Sequence, residues 1–151
     1  MPRKEALLPS LESSRRGTST FRDSHPSMVE EEPRIYVKFR PAGLDVLFWA
    51  LLDTGAHFCL LNSTVAKMLR DQLTESLGTF SVRTAHGPVR GDLYLHPITL
   101  VAETGESLNI EATVFVPPEW QGPSFLGYAG ALDRIRFAID PRANRFYFGE
   151  L

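Results

Sequence analysis

Residues 46 to 61 read Val46-Leu47-Phe48-Trp49-Ala50-Leu51-Leu52-Asp53-Thr54-Gly55-Ala56-His57-Phe58-Cys59-Leu60-Leu61, and this stretch decides how the rest of the chain is read. An unbroken apolar run, Val46 to Leu52, leads directly into a carboxylate, a hydroxyl and a glycine, after which the chain turns apolar again at Phe58. The pattern carries a charge toward a core. An unpaired buried carboxylate costs several kcal/mol or is avoided by protonation, so a chain that places one there neutralises it or uses it. Asp and Gly are also ordinary turn formers, and the tripeptide alone fits a plain turn between strands. Its surroundings have to decide.

Working outward, residues 34 to 40 alternate strictly, with Ile35, Val37 and Phe39 on one face and Tyr36, Lys38 and Arg40 on the other, which predicts a half-buried strand. Pro41 to Asp45 form a turn, and the apolar run beyond it is expected as a fully buried strand paired back on the first. Asp53 then falls where a central strand ends in a loop, a common position for catalytic groups. On the other side, Asn62 or Ser63 caps a short helix with Val65, Met68, Leu69 and Leu73 on one face. Strands follow at Phe80 to Thr84 and Val89 to Val101, joined by Ala85-His86-Gly87-Pro88. Pro97 cannot donate to a ladder, so this second strand is expected at an edge or with a bulge. Ile110, Ala112, Val114 and Val116 alternate again. Ser124-Phe125-Leu126-Gly127 leads through a helical turn near Ala131 to Arg136 into Phe137 to Ile139, a turn at 140 to 144, and a last strand from Arg145 to Phe148. The chain is mostly β with one or two short helices.

The 151 residues suffice for one domain. Residues 1 to 29 are rich in Ser, Arg and Pro and poor in large apolar side chains, so they read as a disordered tail before a domain at 30 to 151. A net charge of −2 gives no reason to expect nucleic acid or an acidic membrane surface. The longest apolar run is far short of a membrane span, and no secretory-type apolar segment is seen, so the expectation is a soluble, cytoplasmic protein. The single cysteine, Cys59, excludes an internal disulfide and reads as a small buried apolar residue. No His or Cys pair has metal-ligand spacing, so neither metal nor cofactor is expected.

Three features in order give the chain a resemblance to the retropepsin-like aspartic proteases, the single-domain retroviral type. They are Ala50-Leu51-Leu52-Asp53-Thr54-Gly55-Ala56, the glycine-bearing hairpin at 84 to 91, and Ser124-Phe125-Leu126-Gly127 before a short helix and final hairpin. The resemblance covers about residues 34 to 149. It implies a single-lobe, closed β-barrel that functions as a two-fold dimer. One departure is visible: Tyr128-Ala129-Gly130 stands where the family usually passes from the glycine straight into the helix.

The resemblance implies an endopeptidase acting on peptide or protein substrates, in which two aspartates share one proton and activate a water. Aspartic proteases are the general example of such a dyad. Only one Asp-Thr-Gly is present, and Asp140, the other acid ending an apolar strand, is followed by Pro141. The second aspartate is therefore expected from a second copy, with each Asp53 near the axis of a homodimer. By resemblance Thr54 bonds across the dimer, and Gly55 and Ala56 keep the approach to the carboxylates open. Ala85, His86, Gly87 and Pro88 form the tip of a flap over the substrate. No serine, cysteine or acid is arranged as a partner for His57 or His86. The alternative reading is a non-catalytic dimerisation or peptide-binding module on the same fold, because fold does not fix function.

Overall fold

The run that ends on Asp53 forms its expected hairpin. In the computed structural model, which describes residues 16–23, 34–84 and 87–151, β2 (Tyr36–Pro41) pairs antiparallel with β3 (Phe48–Asp53), Tyr36 opposite Leu51 and Phe39 opposite Phe48. The other edge of β3 is taken by β9 (Ser124–Gly127), which runs parallel to it. Next to β9 comes β4 (Cys59–Leu60), which lies parallel to β8 (Leu108–Val116). β8 pairs antiparallel with the long β6 (Gly87–Leu100), whose far end returns to β2 through Arg40 opposite Thr99. The order β2, β3, β9, β4, β8, β6 thus closes on itself as a barrel, which leaves none of these strands as an open edge. β5 (Gly78–Thr84) hangs from β6 as a hairpin arm.

Val37, Phe39, Ala50, Leu69, Leu100, Ala112 and Val114 are completely buried and form the barrel core. Each large member contributes about 1.5–3 kcal/mol by leaving water. The helix α1 (Ser63–Met68) starts on Asn62, whose side chain accepts the Thr64 N–H at 2.8 Å, and it buries Val65. Met68, expected on that face, is exposed at the end of the helix, whereas Leu69 just beyond it is fully buried and Leu73 packs partly buried against the core.

Other expectations are corrected by packing. Val46 and Leu47 lie outside β3 and are each 46 % exposed, so the buried strand begins only at Phe48. Tyr36, expected on a polar face, is fully buried, because the strand passes between the barrel interior and the cleft described below. Pro97 is neither at a bulge nor outside the ladder: the β6–β8 register is continuous through Pro97 opposite Glu111. Its carbonyl accepts Ala42 N–H at 2.9 Å, so the side without a donor faces the end of β2, where the ladder stops anyway.

The largest correction concerns the tail. Residues 16 to 20, placed within the expected disordered segment 1 to 29, form β1 (Arg16–Thr20), held between β11 (Arg145–Glu150) and the short β7 (Thr104–Gly105). With β10 (Ile135–Asp140) they make a second, four-stranded sheet. The polar sequence Gly17-Thr18-Ser19-Thr20 offers no apolar signal; backbone pairing orders it, and Phe21 beyond it is buried in the core. Glu103 fastens the end of β1 by accepting Thr20 N–H at 2.7 Å and Thr20 Oγ1–H at 2.9 Å, and it pairs with Lys38 at 2.7 Å. The Lys38 ammonium beside it, joined by the Thr20 donors, holds the Glu103 carboxyl below the usual range. Residues 1–15 and 24–29 of the expected tail lie outside the described residues.

Candidate active site

Asp53 is the last residue of β3, and the chain leaves the sheet there in a tight turn closed by Ala56 N–H to the Asp53 carbonyl at 3.3 Å. The apolar run does not carry the carboxylate into the core. Asp53 is half-buried and opens on a cleft of about 1130 Å³. Its Oδ1 accepts the Gly55 N–H at 2.9 Å, which fixes one carboxylate oxygen by a backbone donor and leaves the other free of protein hydrogen bonds among the described residues. Thr54 and Gly55 are exposed.

The turn is held from behind by β9. Asp53 lies in register with Gly127 across the parallel ladder, and Tyr128 N–H donates to the Ala56 carbonyl at 3.0 Å. A side chain at Gly127 would place its Cβ 2.2 Å from the Phe58 carbonyl oxygen, so only glycine lets the two segments cross this closely. Cys59 is buried just beyond, and burial pushes its thiol up to about 11. It packs, as the sequence suggested, and is not poised as a thiolate nucleophile.

Around Asp53 the cleft is lined by Gly55, Ala56 and His57 of the turn, by Val82, Arg83 and Thr84 of β5, and by Trp120 and Phe125. Ala56 is thus one of the residues beside Asp53 that line the cleft. Gly87 and Pro88, expected to touch substrate, continue the hairpin as partners of Thr84 and Arg83 and are not among the cleft-lining residues. Gly87 has φ +102°, and its carbonyl accepts Thr84 Oγ1–H at 2.8 Å. Ala85 and His86 lie outside the described residues. His57 stands next to Phe58, with ring centroids 6.4 Å apart, and no hydrogen bond joins it to a nucleophile among the described residues.

Sequence reading missed Arg34, Tyr36, Glu119 and Trp120 as cleft residues. Trp120 is the most firmly built of them: its indole N–H donates to the Pro123 carbonyl at 2.8 Å, its own carbonyl accepts Ser63 N–H at 2.9 Å, and its ring meets Phe125 edge-on. A lone aromatic inside the polar Pro/Gly loop 117–123 was the available signal. Asp140 lies in the second sheet, where its carboxylate caps a turn by accepting Arg142 N–H at 3.0 Å. Among the described residues, Asp53 and Glu119 are the carboxylates that line the cleft, and no three His, Cys, Asp or Glu side chains converge as a metal site would require. No helix among them is long and apolar enough to cross a membrane.

The sequence matches no protein-family model, and no curated protein matches it. In three dimensions the chain is similar to the crystal structure of a retropepsin-like aspartic protease from Rickettsia conorii, with a TM-score of 0.57 and 20 % sequence identity over 87 % of this chain and 98 % of that one. The mostly β architecture, the closed barrel and this likeness together show that the chain has the retropepsin-like fold.

Proposed function

We propose that the protein is an aspartic endopeptidase, active as a two-fold homodimer in which the Asp53 carboxylates of the two chains share a proton and activate a water against a peptide carbonyl. The observation that carries this reading is the position of Asp53: a carboxylate at the end of a central strand, held through Oδ1 by the Gly55 N–H, opening on a large cleft. One carboxylate of the pair acts as base toward the water while the other, protonated, donates to the substrate carbonyl. A dyad requires a second acid close by. Asp140 is engaged elsewhere, and the exposed Thr54-Gly55 corner beside Asp53 is a surface through which a second copy can bring its own Asp53.

Catalysis in this reading falls to Asp53, with Thr54 and Gly55 shaping the loop. Ala56 contacts the substrate within the cleft, while Gly87 and Pro88, outside its lining, shape the hairpin arm beside it. Val82, Trp120 and Phe125 add apolar walls for its side chains, and the β5–β6 arm excludes water when a peptide is bound. The similar Rickettsia protein, described as an aspartic protease, supports the reaction class.

The deciding experiment is mass spectrometry of a peptide library incubated with the purified protein, with and without pepstatin, beside Asp53→Asn. Cleavage that pepstatin blocks and Asp53→Asn lacks is expected. Peptide binding without cleavage in both proteins would replace the enzyme by a peptide-binding module.

A further inference from the structure

Tyr128-Ala129-Gly130 departs from the family pattern in sequence, and in the structure the segment 128–134 that it opens is tied at both ends. Tyr128 N–H donates to the Ala56 carbonyl at 3.0 Å, and the Tyr128 carbonyl accepts Asp133 N–H at 2.8 Å. Asp133 Oδ1 accepts Gly130 N–H at 3.0 Å, which closes the segment into a loop. The Gly130 carbonyl accepts Thr113 N–H at 3.0 Å.

This last bond has a topological reason. β4 pairs with β8 only from Val114 onward, so the Thr113 N–H, on the same edge of β8, has no strand to meet. Gly130 supplies the missing acceptor, and its φ of +106° with Thr113 atoms 3.0–3.1 Å from a would-be Cβ makes glycine necessary there. Arg134 anchors the same strand a second time: Nη2 donates to Thr113 Oγ1 at 2.8 Å and Nη1 donates to the Glu111 carbonyl. The chain of contacts runs from β8 through Gly130, Asp133 and Tyr128 to Ala56, whose N–H closes the turn on Asp53.

We propose that Asp133 and Arg134 are positioning residues that lock the 128–134 loop onto β8 and through it hold the Asp53 turn in its reactive geometry. The proposal rests on the reading of Asp53 as catalytic. Neither side chain is among those lining the cleft, so their effect is transmitted through the loop. The bond from Gly130 to Asp133 needs an acceptor oxygen and not a charge, which separates Asp133→Ala from Asp133→Asn.

The test measures amide hydrogen exchange of the full chain together with steady-state cleavage. In Asp133→Ala, exchange at Gly55 and Tyr128 is expected to quicken about tenfold while Val37 and Ile98 in the barrel stay protected, with kcat down about tenfold and KM within about twofold. Asp133→Asn should restore both. Arg134→Met is the second variant, expected to act at the same amides, and it serves if Asp133→Ala does not fold. Unchanged exchange at Gly55 and Tyr128 overturns the proposal, and so does an equal loss of protection throughout the barrel, which would mark a purely structural role. If the wild type cleaves no more than Asp53→Asn, the protease reading fails, and the exchange data still decide whether the clamp exists.

Discussion

Asp53 and Gly127 are register partners across the parallel β3–β9 ladder, one carrying the carboxylate and the other leaving room for the Phe58 carbonyl. Residues 74 positions apart in the chain are thereby made into one unit, in which the strand behind the turn has no side chain where the turn crosses it. The parallel pairing needs a long crossover connection, and everything from β4 to β8 provides it.

Gly127→Ala should be far worse than its one added methyl suggests. The new Cβ meets backbone at 2.2 Å, so β9 or the 56–58 segment must move. A loss of about 2–4 kcal/mol in urea unfolding is expected, together with loss of cleavage. Gly87→Ala, where nothing lies within 4 Å and only the positive φ resists, should cost about 1 kcal/mol. Equal costs for the two would show that the crossing is not sterically tight.

Subunit mixing tests whether the dyad is built from two chains. Equal amounts of wild type and Asp53→Asn, fully exchanged and well above the dimer dissociation constant, put half of the wild-type chains into mixed dimers by random pairing. Activity per wild-type chain should fall to about half. Glu119 lines the same cleft and is the candidate for a second acid within one chain. Unchanged activity in the mixture, with loss in Glu119→Gln, would assign the site to a single chain.

A dyad that shares one proton works only while one carboxyl is charged and the other neutral. The profile of kcat/KM against pH is therefore expected to be bell-shaped, with an acidic maximum and a fall toward high pH. Activity that keeps rising through pH 8 would indicate a different base.

Removing residues 1–15 should leave unfolding nearly unchanged, whereas removing 1–23 should destabilise the fold. The longer deletion takes away β1, which covers an edge of β11, and Phe21, which is buried in the core. Loss of a buried phenylalanine alone costs about 3–5 kcal/mol. Urea titrations of the two truncated proteins give the comparison, and indistinguishable midpoints would show that β1 contributes nothing.

Glu103 links the stability of this corner to pH. Its folded pKa is lowered, first by the hydrogen bond from Lys38 and further by the Thr20 donors, against an opposing effect of desolvation. A group with a depressed folded pKa contributes stability above its unfolded pKa and loses it as pH falls through the folded one. The difference in Tm between wild type and Glu103→Gln should therefore be present near neutrality and shrink in acid, below the ordinary glutamate range. A difference that stays constant down to pH 3 would rule out the linkage.

By itself the sequence determined the elements whose cause is local. Alternation at 35–39 and 110–116, the cap at Asn62, and the turn chemistry at 140–144 depend on neighbours a few residues away, and each appears in the structure near its expected place. The loop position of Asp53 was legible for the same reason, since an apolar run followed by Asp-Thr-Gly has to leave its strand. Tertiary structure decided what depends on distant partners. β1 is ordered by backbone pairing to β11, and hydrogen bonds between main chains leave no mark in side-chain composition. Trp120 reaches the cleft because Ser63, far from it in the chain, fixes its loop, and Tyr36 is fully buried where the backbone of Arg22 bridges to it. Periodicity reports which face of a strand is apolar, whereas closure of the barrel sets what lies against that face, and so whether the Asp53 carboxylate ends in a core or at the edge of a cleft.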